Sequence, residues 1–386
     1  MAALPRIAFF AASMKRGQDG VTRVLYKLSE KLQTRGVDHV FFSAVVPPKP
    51  ERPVSMHKVP SVIVPFYKEY RYPLLADFKV SAVLGTYKPD ILSVHSPCSL
   101  GWAAIYYAKL HRRPIVAHYH THFVSYASYY RVGVLTEFGW KYMKLFYGAM
   151  HRTFVPSKLI LDELAARRLK NLSLLPHGID ATAFSPSFAN PYWKKSIGAQ
   201  GKTVLLYAGR LVWEKELATL ADAYAIIRQK TGNTLLALAG DGPARSELQK
   251  RIPDAVFLGY CSGKDLSECY ASADIFVFPS VTETFGMVTL EAMASGLVPV
   301  CADAGGAAGI IAHGRTGMLA KAQNAEDFAR SCLTVIADRE KRKRMSHAAR
   351  AYALRHTWDA VADRMLEEYA EVVENYKLKK HTFRNV

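Results

Sequence analysis

Glu283 and Glu291 lie within the stretch TETFGMVTLEAMASG, residues 282–296. A carboxylate accepts hydrogen bonds from hydroxyl groups, so the pair could hold the hydroxyls of a sugar and of a ribose. Between them, Phe285 to Ala294 contains good helix formers and no proline, and Gly286 sits at the turn. The apolar run just before, Ile275 to Pro279 (IFVFP), reads as a buried strand. A strand, a tight loop and a helix start leave several backbone N–H groups without partners and put partial positive charge at the loop. That is a seat for a phosphate or another anion. A phosphate seat framed by two hydroxyl-binding acids suits a nucleotide sugar. The same residues have a structural alternative, in which Glu283 caps the helix and Glu291 is a solvated helix position.

Other elements follow the same plan. Arg6 to Ser13 reads as a first strand, followed by a loop with Gly17 and Gly20 and an amphipathic helix from Val21 to Arg35. This second strand–glycine–helix junction is also phosphate-friendly. Arg23 could touch an anionic acceptor or simply face solvent. His39 to Val46, Asp90 to Ser96 and Pro114 to His120 are further strands. His118, His120 and His122 alternate, so on one continuous strand they would share a face and could bind zinc; a strand ending near His120 would turn His122 away. Thr153 to Ser157 and Leu172 to Gly178 close the first half, and Asn190 to Gly201 reads as a linker. The second half alternates strand and helix, which predicts a parallel sheet covered on both faces. Its GDGP turn is a partial G-x-G-x-x-G with Arg245 in the third glycine's place, read as a strand-to-helix turn near the nucleotide. Ala255 to Tyr260 is placed beside the base. The segment EKRKR, residues 340–344, reads as a solvated helix face, and a last helix runs from Trp358 to about Lys377.

The length of 386 residues predicts two domains, and 50% hydrophobic with 22% charged residues is ordinary for a globular protein. Five scattered cysteines with no C-x-x-C argue against a disulfide framework and for a reducing compartment. No apolar run approaches the roughly 20 residues of a membrane span. Of the net charge of +18, residues 1–186 carry +14 and residues 187–386 carry +4. A basic half points to lipid head groups, nucleic acid or a phosphorylated substrate, or to a generally basic proteome. Two stretches there interleave rings with cations, 62–76 (VIVPFYKEYRYPLLA) and 123–150 (Phe123 to Met150). Such stretches suit a membrane interface, stacking on bases, or a core. The chain has no D-x-D, H-E-x-x-H, P-loop or G-x-S-x-G.

The string ETFGMVTLEAMASGLVPV followed by DAGG resembles the donor site of glycosyltransferase family 4, and flanking matches extend the resemblance over nearly the whole chain. The resemblance implies the GT-B fold, an α/β arrangement of two Rossmann-like domains facing across a cleft. Residues 1–186 would form the acceptor-binding domain, 187–356 the nucleotide-sugar-binding domain, and 357–386 a helix crossing back to the first. PHGIDATAFSP matches the family's interdomain segment. GVTRVLYKL resembles the loop whose glycine, here Gly20, lets backbone approach the donor phosphates. HTHF resembles the turn whose histidine, His120, sits beside the donor sugar and steadies positive charge at the anomeric carbon. GRLVWEKEL resembles the segment whose Arg210 and Lys215 grip the diphosphate. Glu216 stands there where glycine or asparagine is usual, which bears on the turn geometry. Glu283, Phe285, Gly286, Met287, Val288 and Glu291 complete the implied donor site.

The implied activity is retaining, metal-independent transfer of a hexose from a nucleotide sugar, UDP-linked in preference, with no cofactor. The motifs look closest to the branch of sulfoquinovosyl-, glucosyl- and mannosyl-transferases that act on diacylglycerol lipids. Expected partners are a nucleotide sugar, a lipid acceptor and an anionic membrane surface, and no nucleic acid. The expected location is cytoplasmic, peripheral on the inner face of the membrane. The alternatives are a soluble or glycan acceptor with UDP-glucose or GDP-mannose, a nucleotide-sugar epimerase or hydrolase, and a nucleic-acid-binding protein suggested by charge alone.

Overall fold

A computed structural model describes residues 4–17, 19–64, 67–74, 78–120 and 133–382. The chain divides into two compact units. The first comprises residues 1–156, 161–176 and 358–386, the second 157–160 and 177–357. The division falls between Pro176 and His177, where the sequence reading put it after residue 186.

The first unit is built on β1 (Ile7–Ser13), β2 (His39–Val45) and β3 (Met56–Lys58), a hairpin of β4 (Ser61–Val64) and β5 (Tyr67–Pro73), then β6 (Ile91–Val94), β7 (Ile115–His118), β8 (Arg152–Val155) and β9 (Leu172–Leu174). Seven of these form a sheet in the order β3-β2-β1-β6-β7-β8-β9, and each pairing is parallel. Ile7 to Phe10 are buried, as a parallel strand covered on both faces requires. The hairpin pairs antiparallel. The closing helix, Trp358–Thr382, belongs to this unit. Tyr369 on it is fully buried. Arg152 bridges Glu368 at 2.6 Å and Glu371 at 2.9 Å, and Arg35 bridges Asp363 at 2.6 Å.

The second unit carries β10 (Thr203–Ala208), β11 (Thr234–Ala239), β12 (Val256–Gly259), β13 (Ile275–Phe278), β14 (Val298–Ala302) and β15 (Met318–Ala320). They form one parallel sheet in the order β12-β11-β10-β13-β14-β15. In each sheet the strand order reverses once, between β1 and β6 and between β10 and β13. Open parallel sheets bind ligands outside the carboxyl ends of the strands at such a reversal. Both units are thus Rossmann-like.

The aromatic–basic stretches split. Phe66 and residues 121–132, which include His122 and the first part of the second stretch, lie outside the described residues. The helix Gly133–Gly148 turns Trp140, Met143, Phe146 and Tyr147 into the core, and exposes Phe138, Tyr142 and Leu145 beside Lys141 and Lys144. Tyr142 accepts from Trp102 Nε1 at 3.2 Å, which joins this face to the helix Ser99–Leu110 and its exposed Tyr106 and Leu110. On the hairpin, Val62, Ile63, Tyr72 and Leu74 are exposed. Among the described residues no helix is long and apolar enough to cross a membrane.

Candidate active site

The turn after β13 carries Glu283. Lys215 Nζ donates to Glu283 Oε1 at 2.5 Å and lies 3.5 Å from Thr282 Oγ1. Both charged side chains are largely buried, at 15% and 24% exposed. Lys215 ends a short 3-10 turn after β10, so the pair joins the two strand ends that flank the sheet's reversal.

Glu216 closes that 3-10 turn in the left-handed conformation, at φ 57° and ψ 38°. A side chain there costs about 1–2 kcal/mol relative to glycine. The carboxylate offsets this: it accepts from Gln323 Nε2 at 2.9 Å and from Thr219 Oγ1 at 3.3 Å. The turn that a glycine or asparagine would make is therefore kept with a glutamate. Arg210, just ahead, is exposed, and its carbonyl accepts from the Tyr207 hydroxyl at 3.1 Å. Burial pushes the Tyr207 phenol well above its ordinary pKa, and Glu283 and Glu214 push the same way.

The GDGP turn packs against this loop. Ala244 N–H donates to Leu211 O at 3.0 Å, and a Cβ at Gly240 would lie 1.9 Å from Gly209 O. These glycines permit close approach of two strand ends.

Beyond Glu283 the chain enters the helix Met287–Ala294. Its N-cap is Gly286, at φ 90°, and among the described residues no side chain makes a cap hydrogen bond to it. Glu283 is therefore not the helix cap. Phe285 is buried and meets the His177 ring edge-on at 5.0 Å. Burial lowers the His177 pKa to about 4. Glu291 has no accessible surface, which overturns the solvated alternative. The Tyr270 hydroxyl donates to Glu291 Oε2 at 3.3 Å. Met287 and Val288 are half-buried at the helix mouth.

Gly305 and Gly306 pack closely against this loop. Gly306 N–H donates to Glu283 O at 2.6 Å, and a Cβ at Gly306 would lie 2.1 Å from the Thr284 carbonyl. Ser157 Oγ donates to Thr284 O at 2.8 Å.

In the first unit, Gly20 is the first residue of the helix Gly20–Thr34. A Cβ there would meet no described atom within 4 Å. Asp19 caps this helix, accepting from Thr22 N–H at 2.8 Å in a capping box. His120 lies two residues beyond β7. Its Nε2 is 2.7 Å from Nδ1 of His95, which follows β6.

The structure thus gathers Lys215, Glu283, Phe285, Gly286, Met287, Val288 and Glu291 at one loop–helix junction, with Arg210 on the loop that carries Lys215. His120 and Gly20 belong to the other unit. Thr282, Tyr270, Ser93, His95 and Tyr369 were missed. A signal existed for two of them: in ILSVHS, Ser93 and His95 are polar residues at period two, one within the apolar strand and one just past its end.

Two family descriptions match this chain. Residues 18–183 match "Glycosyltransferase Family 4" and residues 190–352 match "Glycosyl transferases group 1". A GDP-mannose-dependent alpha-mannosyltransferase of Mycobacterium tuberculosis is 31% identical over 374 residues, covering 95% of this chain and 97% of its own. An alpha-monoglucosyldiacylglycerol synthase of Streptococcus pneumoniae is 29% identical over 259 residues, covering 64% and 58%. Among solved structures, Anabaena Alr3699/HepE in complex with UDP superimposes with a TM-score of 0.77 at 18% identity, covering 95% of this chain and 100% of that one, which supports the GT-B fold. The chain belongs to glycosyltransferase family 4 and is a GT-B enzyme that moves a sugar from a nucleotide sugar.

Proposed function

We propose that the enzyme transfers a hexose from a UDP-sugar to a lipid acceptor such as diacylglycerol, with retention of configuration and without a metal. The observation that carries the donor half is the uncapped start of the Met287–Ala294 helix with Lys215 and Glu283 paired at its approach. The amides at Phe285 to Val288 and the cations of Arg210 and Lys215 take the diphosphate. Negative charge grows on that group as the glycosidic bond breaks, and fixed donors aimed at it lower the barrier. An ammonium has three donors, so Lys215 can hold a phosphate oxygen while it orients Glu283. Glu283 then accepts from sugar hydroxyls, and Glu291, which is fully buried beside Tyr270, accepts from the ribose once the bound nucleotide displaces what covers its carboxylate. Gly20 lets backbone approach the donor phosphates. Attack is from the front face: the leaving phosphate takes the acceptor's proton, and the neutral His120 imidazole steadies charge at the anomeric carbon.

The exposed faces support the acceptor half. Tyr106, Leu110, Phe138 and Leu145 are apolar groups in water, with Lys109, Lys141 and Lys144 among them. Rings and cations together suit an anionic membrane surface, reached here from the cytoplasmic side. A second reading has a soluble or glycan acceptor and GDP-mannose, and the mannosyltransferase similarity over 95% of the chain favours that donor.

Label transfer separates the readings. Radiolabelled UDP-glucose, UDP-galactose or GDP-mannose is incubated with enzyme and vesicles, with and without diacylglycerol and anionic lipid. Label from a UDP-sugar should enter the organic phase, also in the presence of EDTA. Label released into water, or transfer that needs GDP-mannose and no vesicles, overturns the lipid reading.

A further inference from the structure

His120 is joined to a chain of hydrogen bonds through the first unit. Its Nε2 lies 2.7 Å from His95 Nδ1. His95 Nε2 lies 2.9 Å from Ser93 Oγ, which lies 2.6 Å from the Tyr369 hydroxyl. That hydroxyl lies 2.7 Å from His118 Nε2. Ser93, His95, His118 and Tyr369 are all buried.

The three imidazoles invite a metal reading, since their ligand atoms lie within 4.8 Å of one another. The geometry opposes it. Two nitrogens on one tetrahedral zinc, each at about 2.0–2.1 Å from it, stand about 3.3 Å apart. The His95–His120 separation of 2.7 Å is a hydrogen bond. The rings are also stacked, with interplanar angles of 17°, 20° and 10°. Lone pairs in near-parallel planes do not converge on one ion.

The chain has a direction. Ser93 and Tyr369 each hold one hydroxyl proton and make two of these bonds; leaving neither buried proton unbonded requires each to donate one and accept the other. Burial keeps the Tyr369 phenol protonated by raising its pKa. If Tyr369 donates to His118, Ser93 donates to Tyr369 and His95 donates from Nε2 to Ser93. A neutral His95 then accepts at Nδ1, and His120 carries its proton on Nε2. If the chain runs the other way, His120 accepts at Nε2 and carries its proton on Nδ1. The polarity at Tyr369 and the tautomer of His120 are therefore one variable.

We propose that Tyr369, acting through Ser93 and His95, is a positioning residue that selects which nitrogen of His120 carries the proton. The catalytic consequence rests on the function proposed above; the tautomer coupling does not. Tyr369 lies on the closing helix, far along the chain from the strands it serves. The wrong imidazole tautomer presents a lone pair where an N–H is needed, or the reverse, which costs turnover without moving the ring.

The test is Tyr369→Phe, which removes one hydroxyl and keeps the ring. In full-length protein labelled with ¹⁵N-histidine, the His120 nitrogens should report one tautomer in wild type and a mixture in the variant. Turnover should fall about 10-fold with the donor KM unchanged. In a His120→Ala background, Tyr369→Phe should cost nothing further, because the two act as one unit. An unchanged His120 spectrum in Tyr369→Phe overturns the proposal. So does an equal loss of turnover with and without His120, which would mark Tyr369 as merely structural. Ser93→Ala gives a second break in the chain and should produce the same mixed spectrum. A mixed spectrum with undiminished turnover supports the tautomer coupling and instead overturns the role of His120 in the reaction.

Discussion

The two units each contain a strand, a glycine-bearing loop and a helix start, and the two starts are finished differently. At Gly20–Thr34 the cap is Asp19, whose carboxylate occupies the Thr22 amide. At Met287–Ala294 the cap is Gly286, and among the described residues no side chain makes a cap hydrogen bond. A carboxylate at a helix start is stabilising because it answers the unpaired amides and the dipole. For the same reason it competes with a phosphate. The difference teaches that one sequence pattern serves two ends. A side-chain cap secures a helix, and a start without one leaves amides for the anion site proposed above, at a cost that the surrounding loop must meet. Gly306 and Ser157 hold that loop through the carbonyls of Glu283 and Thr284.

The largest effect belongs to the glycine-capped start. Lys215→Ala or Glu283→Ala should lower turnover 10²–10³-fold, about 3–4 kcal/mol of transition-state stabilisation. Release of nucleoside diphosphate measures it, and undiminished turnover in either variant would remove the assignment. Gly306→Ala comes next. The added methyl cannot fit beside the Thr284 carbonyl, so the loop must move, with a stability loss of about 2 kcal/mol and a turnover loss larger than that stability change explains. Denaturant midpoints and steady-state kinetics on the same preparation check both halves.

His177 offers a pH test beside the same loop. Its folded-state pKa of about 4 lies below the ordinary 6.5 because burial disfavours the imidazolium. Protons therefore bind the unfolded chain first. Stability is full above about pH 6.5 and falls as pH drops toward 4, by on the order of 1 kcal/mol, since part of the residue remains accessible. Urea midpoints at pH 7.5 and 5 should differ by more in wild type than in His177→Asn.

The smallest effects test the aspartate-capped start. Asp19→Ala should cost about 1 kcal/mol of stability without reducing donor affinity. Gly20→Ala should change stability by only a few tenths of a kcal/mol, or raise it, since no described atom lies within 4 Å of its Cβ. If Gly20→Ala lowers turnover while the melting temperature holds, glycine is needed there for a ligand and the contrast between the two starts narrows.

Much of the fold was legible because parallel strands announce themselves locally. IAFFAAS, IFVFP and TVLLYAG are apolar runs bounded by turn residues, and they become β1, β13 and β10. The junction at Glu283 was legible for the same reason, since strand, loop and helix are contiguous in sequence. The hairpin of β4 and β5 was not, because VIVPFYKEYRYP lacks a clear period and its pairing is decided by partners. The aromatic stripe of residues 133–148 could not be assigned to core or surface from ring count alone. Its helix has both faces, and only the neighbours say which is covered.

The sequence by itself determined the two alternating α/β halves, the positions of the two helix starts and the residue types at them. These follow from periodicity and turn chemistry, which act over a few residues. Only the tertiary structure decided that Lys215 pairs with Glu283, that Glu291 is wholly buried, that Glu216 adopts a left-handed turn, and that Tyr369 closes a chain of hydrogen bonds to His120. Each of these joins groups far apart in sequence or depends on what packs around them. Such contacts are set by how sheets and helices pack, and no local pattern encodes that.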